Sequence, residues 1–231
     1  MPVNEQEREQ AILDATAVLL LRLGYDKLTM GDVADAVGLH RGLLYLHFKS
    51  KDELVESALL REVERYPAAW REQLVADPRG GSVAGVYRAM VHVLKTLPLA
   101  AAIAARDPEV FGRYLRKPGN LFALRPNTLG MRAFLEVMQE AGTMRTDVDT
   151  RAVAYLLESL TPALRATFGA GRGDAAAPDR PTSDELLETI ADLLDRALTP
   201  DDADLSHGKR VLLRGLDEVL TELNAKLGRR S

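Results

Sequence analysis

Residues 28–54 read LTMGDVADAVGLHRGLLYLHFKSKDEL, and the spacing of small, apolar and basic residues there decides what the chain can fold into. Thr29 stands where a helix N-cap is wanted, and Val33, Ala34 and Val37 make an apolar face that Gly38 closes. Leu43, Leu44 and Phe48 follow within a few residues. The pattern predicts two short helices joined by a glycine turn, the outline of a helix-turn-helix. Ser50 and Glu53 then form a capping-box pair opening a longer helix, with Leu54, Ala58, Leu59 and Val63 inward and Pro67 ending or kinking it.

Upstream, Asn4 and Glu7 mark a helix start; Ile12, Thr16, Leu19, Leu20 and Leu23 recur at helical spacing, and Gly24 supplies the stop. Downstream, helices are expected over residues 82–97 (Val86, Met90, Val93, Leu94 inward), over 108–115, and around Leu129, Phe134, Leu135, Met138 and Ala141 up to Gly142. Asp149 caps a strong segment with Val153, Leu156, Leu157, Leu160 and Leu164, bent at Pro162 and ended by Gly169. Residues 169–181, rich in Gly, Ala and Pro, have the composition of a linker. Thr182 and Glu185 open another helix carrying Leu186, Ile190, Leu193, Leu194 and Ala197, with Pro200 past its end. A last helix spans about 205–227, with Leu212, Leu216, Val219, Leu220, Leu223 and Leu227 on its stripe. No useful run alternates as a strand would, so the fold class is all-α.

The 231 residues include no cysteine, which excludes disulfides, thiolate nucleophiles and Cys-ligated metals. The longest apolar run, residues 97–105, is about half of the roughly 20 residues of a spanning helix. The start is acidic and polar rather than signal-like, so a cytoplasmic protein without a membrane partner is expected. A net charge of -4 argues at first against nucleic acid. Yet His40, Arg41, His47, Lys49 and Lys51 lie within residues 40–51 without one acid, flanked by Asp26, Asp32, Asp35, Asp52 and Glu53. A local basic patch in an acidic molecule suits specific binding to a short site.

Residues 28–54 closely resemble the DNA-binding signature of the TetR family of regulators, most specifically in the tract Gly42-Leu-Leu-Tyr-Leu-His-Phe-Lys-Ser-Lys-Asp-Glu-Leu54. Ala34 and Gly38 fit the small positions where two helices cross, and the first helix fits as well. The resemblance covers about the first quarter of the chain. It implies a three-helix DNA-binding domain over residues 1–52 and a larger helical ligand-sensing and dimerisation domain over 53–231.

On a recognition helix starting near His40, Leu44 and Phe48 share the core face and Arg41, Leu43, Tyr45 and His47 point elsewhere. Arg41 has the fork that matches guanine O6 and N7 and is the first choice as base reader. Tyr45 and His47 read as phosphate donors, Lys51 adds charge at the next helix start, and Thr29 and Met30 offer backbone amides and a hydroxyl. His40, Gly42, Leu43 and Leu46 complete the expected DNA-binding set, Leu43 as a contact to a thymine methyl. Leu43 and Leu46 depart from residues common in the family, and Gly31 leaves no side chain where some relatives place a basic one.

The resemblance further implies a homodimer reading a palindromic double-stranded DNA operator. Val153, Leu156, Leu157, Leu160 and Leu164, with Leu186, Ile190, Leu193, Leu194 and Ala197, are candidate dimer contacts, against the alternative that they are monomer core. The helix after Pro200 would cover or extend that bundle. Met90, Leu94, Ile103, Phe111, Tyr114, Phe122, Met131, Phe134 and Met138 are candidates to line a pocket for a small, largely apolar effector, against the plainer reading as ordinary core. Arg106, Arg113, Arg116 and His92 are nearby polar groups able to orient it. The expectation is a repressor released by that effector as the helix from Lys51 swings. The alternatives are an activator or ligand-independent DNA binder of the same fold, and a helical-bundle enzyme. The four scattered histidines, the missing cysteines and the absence of G-x-S-x-G weigh against the last, and no cofactor or metal is expected.

Overall fold

Helix periodicity in the sequence is matched by helix in the computed structural model, which describes residues 4–123, 130–169 and 181–227, the side chains of 161–169, 183, 222–224 and 226–227 excepted. Among the described residues every regular element is helical: α1 Glu5–Lys27, α2 Met30–Ala36, α3 Arg41–His47, α4 Lys51–Ala76, α5 Val83–Thr96, α6 Pro98–Ala105, α7 Pro108–Phe111, 3-10 turns at Gly112–Arg116 and Leu121–Ala123, α8 Met131–Glu140, α9 Thr150–Gly169, α10 Ser183–Leu198 and α11 Leu205–Leu227. Residues 170–180 of the expected linker and the side chains of Leu129, Leu164, Leu223 and Leu227 lie outside the described residues, and α9 runs through Pro162 to end at Gly169.

Capping fixes several starts as the sequence predicts. Asn4 with Glu7, Thr29 with Asp32 and Thr182 with Glu185 each form a reciprocal capping box, satisfying amides that have no acceptor inside the helix. Before α4, Ser50 Oγ accepts from the Glu53 amide at 3.1 Å, while the Glu53 carboxylate reaches one residue further back, to the Lys49 amide at 2.7 Å. Pro67 does not end α4, which continues through it to Ala76. A proline removes one amide and crowds one carbonyl, and a helix this long bridges the gap from both sides.

The chain forms two compact units, one within Met1–Tyr66 and Thr96–Arg125, the other within Pro67–Lys95 and Pro126–Ser231. The first unit therefore extends past the boundary drawn at residue 52. Its core joins Ile12, Leu13, Leu19 and Leu20 of α1 with Val33 and Ala34 of α2, Leu44 of α3, and Leu54, Val55, Ala58 and Leu59 of α4. The later segment adds Leu99, Ala102, Val110, Phe111, Tyr114 and Leu121 to the same core.

Two sides of this unit meet at Gly24, where α1 breaks with φ 74° and ψ 158°, a combination essentially confined to glycine. A Cβ there would lie 2.6 Å from the carbonyl oxygen of Glu109, so the position needs both the freedom and the empty space.

The second unit packs Val83, Tyr87 and Val91 of α5 against Leu135 and Met138 of α8, Ala154 and Leu157 of α9, and Leu187 and Leu198 of α10. The last helix is part of this core: Leu212, Leu213 and Leu216 of α11 pack with Trp70, Leu74, Val86 and Ala89. Ionic contacts fasten it too, Arg71 Nη1 to Asp217 at 2.7 Å and Lys209 Nζ to the Asp77 carbonyl at 2.7 Å.

Replacing Gly24 by alanine should cost about 2 kcal/mol from the forced backbone alone. Thermal denaturation followed by circular dichroism should then show a midpoint lower by about 4–8 °C; an unchanged midpoint would mean that this break is not under constraint.

Candidate nucleic-acid interface

The candidate surface begins with how α3 is hung. His40 caps it, Nδ1 accepting from the Gly42 amide at 3.2 Å. Leu44 is fully buried and Phe48 nearly so. At 3.6 residues per turn, Gly42 and Leu46 then fall about 160–200° around the helix from Leu44, at the centre of the opposite face. Their exposure follows: Leu46 is 81% exposed and Tyr45 50%, with Arg41 and Gly42 also open and Leu43 and His47 half-buried.

Beside this face lies a cleft of about 490 Å³ lined by Asp26, Leu28, Thr29, Met30, Gly31, Arg41, Tyr45 and Lys51. It brings together five of the expected DNA-binding residues: Thr29, Met30, Arg41, Tyr45 and Lys51. Two of them are engaged within the protein, Thr29 in the cap the sequence predicts and Lys51 in a way it did not indicate. Lys51 Nζ donates to the Tyr25 carbonyl at 2.6 Å and the Leu28 carbonyl at 2.9 Å, and lies 4.2 Å from the Tyr25 ring centroid. It staples the end of α1, and burial pushes its pKa down. One proton of the ammonium is left for an outside partner. Thr29 likewise gives its amide and hydroxyl to the Asp32 carboxylate, at 2.8 and 2.7 Å, so these donors are spent inside the capping box. Met30 is buried.

The acids flanking the patch are largely occupied. Asp26 is held by Arg113, Nε to Oδ1 2.8 Å, and that guanidinium lowers its pKa. Asp52 accepts from Lys117 and from the Tyr25 hydroxyl, and both bonds, Lys117 first, lower its pKa. Tyr25 moves up, first through burial and then through its bond to Asp52. Asp32 is lowered first by the Thr29 hydroxyl. The cations that neutralise Asp26 and Asp52 come from the 3-10 segment some 60–90 residues further on, which is why local reading missed Arg113 and Lys117 as parts of this surface. Acids matched by a distant Arg/Lys pair leave no short-range signal.

The pocket candidates fall in both units. Phe111 and Tyr114 are fully buried in the core of the first unit, with Ile103 and Phe122 packed on it and the Phe111 and Phe122 rings 5.0 Å apart. Met138 is buried in the second unit, with Met90, Met131 and Phe134 against it; Leu94 is half-buried. Methionine and phenylalanine at helical spacing serve a core as well as a pocket, so composition did not separate the two. Arg113 is bound to Asp26, and Arg106 donates to the Phe122 carbonyl at 3.3 Å. Among the described residues no three His, Asp or Glu side chains are placed to hold a metal ion.

Residues 12–58 match the family model for bacterial regulatory proteins of the tetR family, which takes in α2, α3 and most of the core that holds them. This segment of the chain carries the DNA-binding signature of the tetR family. It is similar to the transcriptional repressor KstR of Rhodococcus jostii, 44% identical over 61 residues, or 26% of this chain and 29% of that one. The chain thus spans under a third of that relative's length. A longer match joins 71% of it to 83% of the transcriptional repressor Rv1474c of Mycobacterium tuberculosis, at 26% identity. Among solved structures, the ketosteroid regulator KstR2 of Mycobacterium tuberculosis shares the fold: TM-score 0.54, 18% identity, 86% of this chain and 98% of that one. These TetR-family relatives are regulators and not enzymes, so the helical-bundle enzyme is set aside.

Asp52 has a folded pKa below its ordinary 3.8, so its bonds to Lys117 and Tyr25 stabilise the protein above that pH and are lost as pH falls through the lower folded value. Asp52→Asn should melt below the parent at about pH 6, and the gap should close as the pH is taken under 3.8. A gap of constant size across the acid limb would show that the carboxylate charge is not what holds these groups.

Proposed function

We propose that this chain is a transcriptional repressor that binds a palindromic operator as a homodimer through α2 and α3, residues 1–52 forming the DNA-binding domain. The observation that carries the reading is the outward face of α3: His40, Arg41, Tyr45 and Leu46 stand clear of the core, with His47 half-buried, beside acids already neutralised. A short helix with polar and basic groups on its first turns, mounted beside a second short helix, has the form that enters a major groove. The similar repressors KstR and Rv1474c support the same sign of regulation. Among the described residues no single helix is long and apolar enough to cross a membrane, which agrees with action on DNA in the cytoplasm.

For the dimer, support comes from α9 and α10. Leu157 is 2% exposed and belongs to the monomer core, and Val153, Leu186, Ile190 and Leu194 pack against it. Leu156, Leu160 and Leu193 are 60%, 41% and 61% exposed, together with Tyr155 at 72%, and Ala197 is open too. Large apolar side chains left in water on two helices are the usual mark of a protein contact. Of the expected contact set, Leu156, Leu160, Leu193 and Ala197, with the neighbouring Tyr155, are the described side chains whose exposure favours this contact.

For the effector, the reading is a small, largely apolar molecule held by residues 53–231. Met90, Met131, Phe134 and Met138 of the second unit are the adaptable apolar side chains that favour it. The activator reading keeps the same residues and differs only in outcome: deletion of the gene raises a repressor's target and lowers an activator's.

Selection from a random duplex library with the full chain should yield a palindrome, and anisotropy with that duplex measures affinity. Tyr45→Phe combined with His47→Ala should weaken binding about tenfold with the fold intact; unchanged affinity would remove α3 from the interface. Separately, sedimentation should find twice the 25.3 kDa chain mass, and Leu156→Glu with Leu193→Glu should return the single mass; a dimer that survives both charges uses another face.

A further inference from the structure

Gly31 is the second residue of α2, and its backbone does not require glycine, since it is not among the positive-φ positions. Glycine is the poorest helix former after proline. Yet Gly31 is buried, and what lies on it is Arg41. A Cβ at Gly31 would lie 2.0 Å from Arg41 Nη2, 2.6 Å from Cζ and 2.8 Å from Nε. The guanidinium is therefore laid across the bare Cα on the first turn of α2. Among the described residues it donates no hydrogen bond. The neighbouring Asp32 carboxylate is taken by Thr29.

We propose that Gly31 is a positioning residue, whose missing side chain seats Arg41 on α2 as a clamp for a backbone phosphate rather than as a reader of base edges. The inference rests on the DNA-binding reading above and corrects the role that the arginine fork alone assigned. Arg41 lies only about 60° around α3 from buried Leu44, on the flank toward α2, whereas Gly42 and Leu46 occupy the groove-facing centre. In a helix-turn-helix the first of the two helices crosses the sugar-phosphate backbone. A planar fork held there, with Tyr45 lining the same cleft, matches two phosphate oxygens. Pre-seating also spares part of the ordering that a free arginine undergoes on binding.

The test is a double-mutant cycle on the full chain, with Arg41→Ala, Gly31→Ala and both, against the library-selected duplex and a scrambled duplex of equal length. Arg41→Ala should weaken both about tenfold, leaving their ratio unchanged, and should flatten the slope of log K against log salt by about 0.9 for each phosphate it no longer neutralises. Gly31→Ala should melt no lower than the parent, because only the tip of a flexible side chain has to move. It should lose affinity as Arg41→Ala does and add nothing in the Arg41→Ala background. A loss confined to the selected duplex would make Arg41 a base reader and overturn the clamp. Additive losses, full affinity in Gly31→Ala, or a lower melting point would overturn the seat. A parent chain that binds neither duplex would instead sink the DNA-binding reading itself.

Discussion

Burial of Leu44 and Phe48 against α1, α2 and α4 is the interaction on which the rest of the candidate interface depends. A helix of seven residues is far too short to persist alone in water. It exists because two apolar side chains, each contributing about 1.5–3 kcal/mol on full burial, fix it to a core built by longer helices. That anchoring also sets its rotation. With Leu44 inward, Gly42 and Leu46 point outward without further device, and each one-residue slip would turn the face by about 100°. The fold of the first unit and the chemistry of its surface are thus one constraint seen from two sides.

Charge is arranged by the same means. An acidic chain presents a basic face because Asp26 and Asp52 are matched by Arg113 and Lys117, brought in by a segment that also lends Phe111 and Tyr114 to the core. The tilted ring contact of Tyr25 with Tyr114, centroids 5.4 Å apart, and the close approach at Gly24 bind that segment to α1. Any displacement of residues 108–117 has to break these bonds or carry the end of α1 and the start of α4 along with it. Coupling between the later segment and the helix-turn-helix consequently has a contiguous physical route inside one compact unit.

Local rules read well where the interaction itself is local. Capping boxes at Asn4, Thr29 and Thr182 involve partners three residues apart, and the apolar spacing that forecasts α1, α5 and α10 reports a face, which survives whatever it is packed against. Reading failed where a side chain had two chemically equal destinations. Lys51 was free to face a phosphate or two carbonyls, and only the position of the end of α1 chose the carbonyls. Leu156 and Leu157 are adjacent in the same stripe, yet one is in water and the other in the core, because the stripe is wider than the surface it packs on. Of the two outcomes expected at Pro67, an end and a kink, the end does not occur, since α4 continues to Ala76.

The amino-acid sequence by itself determined that the regular elements of the described residues are helices, where the first four of them start, and which family's signature the first quarter resembles, since each follows from residue spacing within a few turns. Tertiary structure alone decided which cations neutralise Asp26 and Asp52, how the pocket candidates divide between two cores, and where Arg41 lies. Those outcomes depend on atoms far apart along the chain being brought within a few ångströms, and nothing in local periodicity encodes that meeting.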